Sequence, residues 1–82
     1  MNNTTLFDVK ELEEANMKMI LKEVKDILEE RGYNSVNQIV GYLLSGDPGY
    51  ISSYKDARLK ITEFDRTELL AAIIKDYLKW DI

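Results

Sequence analysis

The sequence predicts an all-α fold: a small four-helix domain behind a flexible N-terminal arm, assembling as a homodimer. Three observations carry the fold class. Apolar residues recur at i, i+3, i+4 and i+7 along several segments. A Ser or Asp followed three residues later by an acid or an amide stands where several of those segments open. No stretch sustains the period-two alternation of a half-buried strand. The 82 residues suffice for one core, which should bury roughly 60% of the unfolded chain's surface. Residues 1–11 are expected to form the arm and residues 12–82 the single helical domain.

The first helix shows a stripe of Met17, Ile20, Leu21, Val24, Ile27 and Leu28, opposite a solvated face that includes Lys18, Lys22, Lys25, Asp26 and Glu29. Asp8 with Glu11 can cap its start, or Asn16 a shorter version; Arg31 and Gly32 supply the cationic last turn and the closing glycine. Ser35 with Gln38 reads as a capping box for a second helix over residues 36–44. Its apolar face is Val36, Ile39, Val40, Leu43 and Leu44, and Gly46 ends it. Gly41, inside this helix, costs about 1 kcal/mol relative to Ala. Either another backbone approaches closely there or the irregularity is merely tolerated. Gly46-Asp47-Pro48-Gly49 reads as a turn. Ser53 with Asp56 opens a short third helix through Ala57 and Ile61. Asp65 with Glu68 opens a fourth, running to about Trp80. There, Leu69, Leu70, Ile73, Ile74, Tyr77 and Leu78 span an arc of about 180°, wider than one core contact requires, so this helix is expected to pack on two surfaces.

Composition excludes much chemistry. The net charge is −4, which argues against nucleic acid as a partner. With no Cys and no His, thiolate catalysis, disulfides, Cys-based zinc sites and the usual general base are absent. No cofactor, no metal and no enzymatic activity are expected. The first ten residues lack the pattern of a signal peptide, and no apolar run is long enough to insert in a membrane, so a cytoplasmic protein is expected. Charge is also unevenly placed. Residues 1–31 and 47–82 both carry many charges, whereas residues 32–46 carry none, which marks a segment covered by the core or by a partner.

Three constellations suggest chemistry and fail on spacing. Asp47, Asp56, Glu63 and Asp65 lie in separate turns without a ligand pattern. The Gly46 to Tyr50 loop follows a helix instead of preceding one, and Pro48 removes an amide donor, so it is no phosphate loop. Tyr33, Tyr42, Tyr50, Tyr54, Tyr77 and Trp80 lack the interleaved cations of a base-stacking surface and read as core or interface. A helix-turn-helix DNA reader, with Lys55, Arg58 and Lys60 on its recognition helix, is the structural rival, opposed by Asp56 among them and by the acidic whole.

The run GYNSVNQIVGYLLSGDPGYI over residues 32–51 resembles the core signature of the IreB family, small regulatory phosphoproteins of Gram-positive bacteria. The likeness continues through Lys55-Asp56-Ala57-Arg58, Ile61, Arg66, Glu68-Leu69, Lys75 and Tyr77-Leu78, covering residues 32–78. Tyr33, Asn37, Gln38, Tyr42, Leu43, Asp47, Pro48, Tyr50, Arg58 and Arg66 are the family-motif and interface residues it implies. The family usually has Pro where Ser35 stands. The resemblance implies a dimeric, non-enzymatic protein modulating cell-wall stress and antibiotic-resistance signalling. Its implied partners are a second copy, a membrane-anchored Ser/Thr kinase with PASTA repeats, a cognate phosphatase and an unidentified downstream protein. Thr4, in Thr4-Thr5-Leu6-Phe7, falls on the family's phosphorylated Thr-x-x-Phe threonine, with Thr5 the alternative; a second family threonine falls on Met1. A phosphorylated arm is expected either to dock on Arg58 or Arg66 or to swing free of the acidic first helix. A purely structural helical interaction module is the alternative function.

Overall fold

The computed structural model describes residues 9–78, of which 81% are helical, with no strand among them. Four α-helices occur in order: α1 (Val9–Glu30), α2 (Ser35–Ser45), α3 (Ala57–Ile61) and α4 (Arg66–Leu78). Two 3-10 turns, Pro48–Tyr50 and Tyr54–Asp56, join α2 to α3. The first turn of α1 thus lies within the residues assigned to the arm, while Thr4, Thr5 and Trp80 lie outside the described residues.

The long α1 is the spine against which the other helices pack. Its stripe behaves as its spacing requires: Met17, Val24, Ile27 and Leu28 are buried, with Ile20 and Leu21 packed beside them. Ile51, Ala57, Ile61, Leu69 and Ala72 complete the core from the other side, joined by Tyr42 of α2. Gly32 adopts φ 79°, the left-handed region that a side chain disfavours. The Tyr33 amide then reaches Leu28 O at 3.0 Å and the Gly32 amide reaches Glu29 O at 2.9 Å, the two bonds that close a helix over such a glycine.

Two expected caps do not form. The N-cap of α2 is Asn34, whose side-chain oxygen accepts from the Asn37 amide at 3.0 Å. Ser35 is instead the first helical residue and is buried, donating its hydroxyl to Glu29 Oε2 at 2.8 Å. Position 35 is therefore where proline suits a helix best, which accounts for the proline the resemblance led one to expect there. Gln38, the other half of the supposed box, accepts from the Ser52 amide at 3.0 Å. Likewise Ser53 makes no side-chain cap; Ser52 Oγ accepts from the Tyr54 amide, and the chain enters α3 through Lys55 (φ 48°) and Asp56 (φ 64°). The Asp65 cap does form, its carboxylate accepting from the Glu68 amide at 3.1 Å.

Candidate functional site

The motif residues converge on the turn between α2 and α3. Gly46 closes α2 with φ 78°, its amide donating to Tyr42 O at 2.8 Å. Asp47 Oδ1 accepts from the Gly49 amide at 2.8 Å, and the Ile51 amide returns to Pro48 O at 3.0 Å, so Asp47 and Pro48 shape the 3-10 turn. Two arginines clamp its ends. Arg58 Nε donates to Ile51 O at 2.8 Å, and Arg66 donates to Leu43 O at 2.9 Å. A Cβ on Gly46 would lie 2.8 Å from the Arg66 guanidinium carbon, so this glycine serves both the left-handed turn and the close approach. The Arg66 cation also sits where the last carbonyls of α2 concentrate negative partial charge. Among the described residues neither arginine pairs with a carboxylate. Each guanidinium thus gives one of its donors to a backbone carbonyl.

Tyr50 answers the question posed by Gly41. Its ring lies against the glycine, so a Cβ there would meet the ring, 2.8 Å from Cε1. The close approach is by a side chain, not by another backbone. Tyr42 is in the core, and Leu43 packs half-buried against it. Gln38 ties α2 to Ser52. Asn37 and Tyr33, by contrast, present their side chains outward.

What the clamp leaves uncovered is apolar. Expected as one apolar face, α2 is in fact split: Ile39 and Leu43 turn to the core, while Val36 (66% exposed), Val40 and Leu44 (82%) form an open stripe one helical turn apart. The wide arc of α4 divides in the same way. Leu69 and Ala72 are buried, whereas Leu70, Ile74, Tyr77 and Leu78 are exposed, so within one chain α4 packs on one surface only.

Charge is distributed around this frame in exposed pairs. Hydrogen bonds from Ser35 and then Lys25 hold the Glu29 carboxyl below its ordinary range, and Lys55 does the same for Glu30. Lys75, 2.8 Å from Glu14, lowers that carboxyl and ties α4 to α1. In return, Glu29 raises Lys25 and Glu30 raises Lys55. Tyr54 lies beside the Glu30–Lys55 pair, its hydroxyl 3.2 Å from Glu30 and the Arg31 guanidinium 4.6 Å above its ring. Among the described residues, no group of three or more acidic, His or Cys side chains is placed to hold a metal. None of the described helices is long and apolar enough to cross a membrane.

The site is thus a clamped turn, with open apolar stripes left on α2 and α4. A family model described as the IreB regulatory phosphoprotein matches residues 2–79. The chain belongs to the IreB family. That match spans nearly the whole chain, further than the residues 32–78 on which the resemblance rested, and it takes in Thr4 and Thr5. IreB proteins are a regulatory family.

Sequence reading missed Asn34 as the α2 cap and the Glu29–Ser35 and Gln38–Ser52 links. Asn34 could have been found, since it is a cap-forming residue directly before the position where the family keeps proline. The two side-chain links join residues distant along the chain or across a helix end and carry no local signal.

Proposed function

We propose that this IreB-family chain is a non-enzymatic regulatory phosphoprotein whose N-terminal arm is modified on Thr4, with Thr5 the alternative. The modifying enzyme is a membrane-anchored Ser/Thr kinase of the PASTA type, reversed by a phosphatase, and the readout is cell-wall stress and antibiotic-resistance signalling in the cytoplasm through a downstream protein. The observation that carries this reading is the family match from residue 2 onward, which places the Thr4-Thr5 pair inside the matched region of a regulatory phosphoprotein. Thr62 is a poorer acceptor: its hydroxyl already donates to Arg58 O at 2.9 Å. Incubation with the kinase and site mapping by mass spectrometry tests the reading. Phosphate on Thr4 or Thr5 is expected; phosphate on neither, with a control substrate modified, refutes it.

The same reading includes a homodimer. Its support is the open α2 stripe in a segment without formal charge, together with the exposed residues of α4. A two-fold pairing that covers either stripe is the simplest closed assembly. Val40→Lys and Leu44→Lys should shift the sedimenting mass from dimer to monomer while the helical circular dichroism persists. A monomeric mass for the unaltered chain at micromolar concentration overturns the dimer.

A further inference from the structure

Between the first half of α1 and the first half of α4 runs a groove of about 500 Å³, within the size range of ligand clefts. Val9, Met17 and Ala71 give it an apolar wall. Its rim carries three carboxylates, Glu13, Glu14 and Glu68, against the two ammonium groups of Lys10 and Lys75, so it is negative on balance. Val9, which lines the groove, is also the first described residue after the eight that precede it. Those eight contain one adjacent apolar pair, Leu6-Phe7, and a single charged side chain, Asp8.

We propose that residues 1–8 fold back over α1, seat Leu6 and Phe7 in this groove, and leave it when Thr4 is phosphorylated. Reach is sufficient. Leu6 and Phe7 stand three and two residues before Val9, which is itself in the wall. Three residues span up to about 10 Å extended, enough to reach the Val9 end of a groove that runs about 12 Å of helix to Met17. The tether raises the pair's local concentration, so a small contact suffices to hold it. Leu6 and Phe7 offer apolar surface to cover Val9 and Ala71, the exposed part of that wall, at no cost in buried charge. A phosphate on Thr4 reverses the balance, because it brings about −1.5 to −2 charges alongside a rim already in carboxylate excess. The seating of the arm stands on the groove alone; its release by phosphate rests on the regulatory reading above.

The chain has no cysteine, so Asn2→Cys gives a unique attachment point for a nitroxide on the full-length protein. Isotope-labelled, spin-labelled chain is diluted into excess unlabelled chain, so that only effects within one chain are read. The Met17 and Ala71 methyl signals should lose at least about half their intensity, as a majority-seated arm requires, while Val36 on the far α2 stripe keeps its own. Adding Leu6→Asp with Phe7→Asp should restore Met17 and Ala71. Equal broadening of Val36, or no recovery in the double variant, overturns the seating. A chain carrying phosphothreonine at residue 4, installed by ligation without any kinase, should also restore both signals. Broadening that survives the phosphate overturns the release. A kinase that fails to modify Thr4 would instead count against the regulatory reading and leave the ligated chain's result intact.

Discussion

Replacing Gly41 by Ala sets two effects of opposite sign against each other at one atom. Gly41 lies inside α2, and its backbone is ordinary helix, so Ala should gain about 1 kcal/mol in helix propensity. The new Cβ, however, would stand 2.8 Å from Tyr50 Cε1 and 3.0 Å from Cγ. Because Cγ is the root of the ring, a small tilt does not relieve the overlap; the whole ring must swing away from α2. Tyr50 is 51% exposed, so about half of its surface is in contact. Half of a tyrosine's burial is about 100 Å², worth about 2.5 kcal/mol at 25 cal/mol per Å². The loss exceeds the gain, and Gly41→Ala should destabilise by about 1–2 kcal/mol. In a Tyr50→Ala background the same substitution meets no ring and should stabilise by about 1 kcal/mol. Urea unfolding of the four variants, at one protein concentration, closes the double-mutant cycle. A stabilising Gly41→Ala in the presence of Tyr50 would refute the reasoning, since it would mean the ring does not rest on the glycine.

Leu69→Ala should cost about 2–5 kcal/mol, because Leu69 is fully buried between α4 and α1, whereas Leu44→Ala on the open stripe should change single-chain stability by no more than about 0.5 kcal/mol; chemical denaturation separates them. Asn34→Ala should cost about 1 kcal/mol through the lost cap on the Asn37 amide, again by denaturation. Ser35→Ala removes the first cause of Glu29's lowered pKa, so the Glu29 carboxyl, followed by NMR titration, should move up towards its ordinary value. Glu14, Glu29 and Glu30 all titrate below the ordinary carboxylate range, so their contribution is complete above it and is lost as pH falls through their folded values. Lys25 and Lys55 are raised, so theirs is complete below the ordinary lysine range and is lost as pH rises through the folded values. The Tm should therefore decline at both extremes, and less so in high salt, because the pairs are exposed; a Tm that climbs on acidification below about pH 4 would contradict this.

Period and capping residues determined the helices, because those signals are local: a stripe at helical spacing has one way to bury itself. The buried Met17, Val24, Ile27 and Leu28, the closing glycines at 32 and 46, and the Asp65 cap were all legible in that way. The signature run was legible too, and it identified the family. What each motif residue does was not. Arg58 and Arg66, offered by charge as docking points for a phosphate, also hold the carbonyls of Ile51 and Leu43, a task no local signal announced. Ser35, read as a cap, is a buried donor to Glu29. Hydrophobicity could say that α2 and α4 carry more apolar surface than one contact needs, but not which part of it stays open. That was decided by how α2 and α4 each meet α1, because a side chain's partner depends on the meeting of separate helices, and no spacing within either helix encodes their crossing.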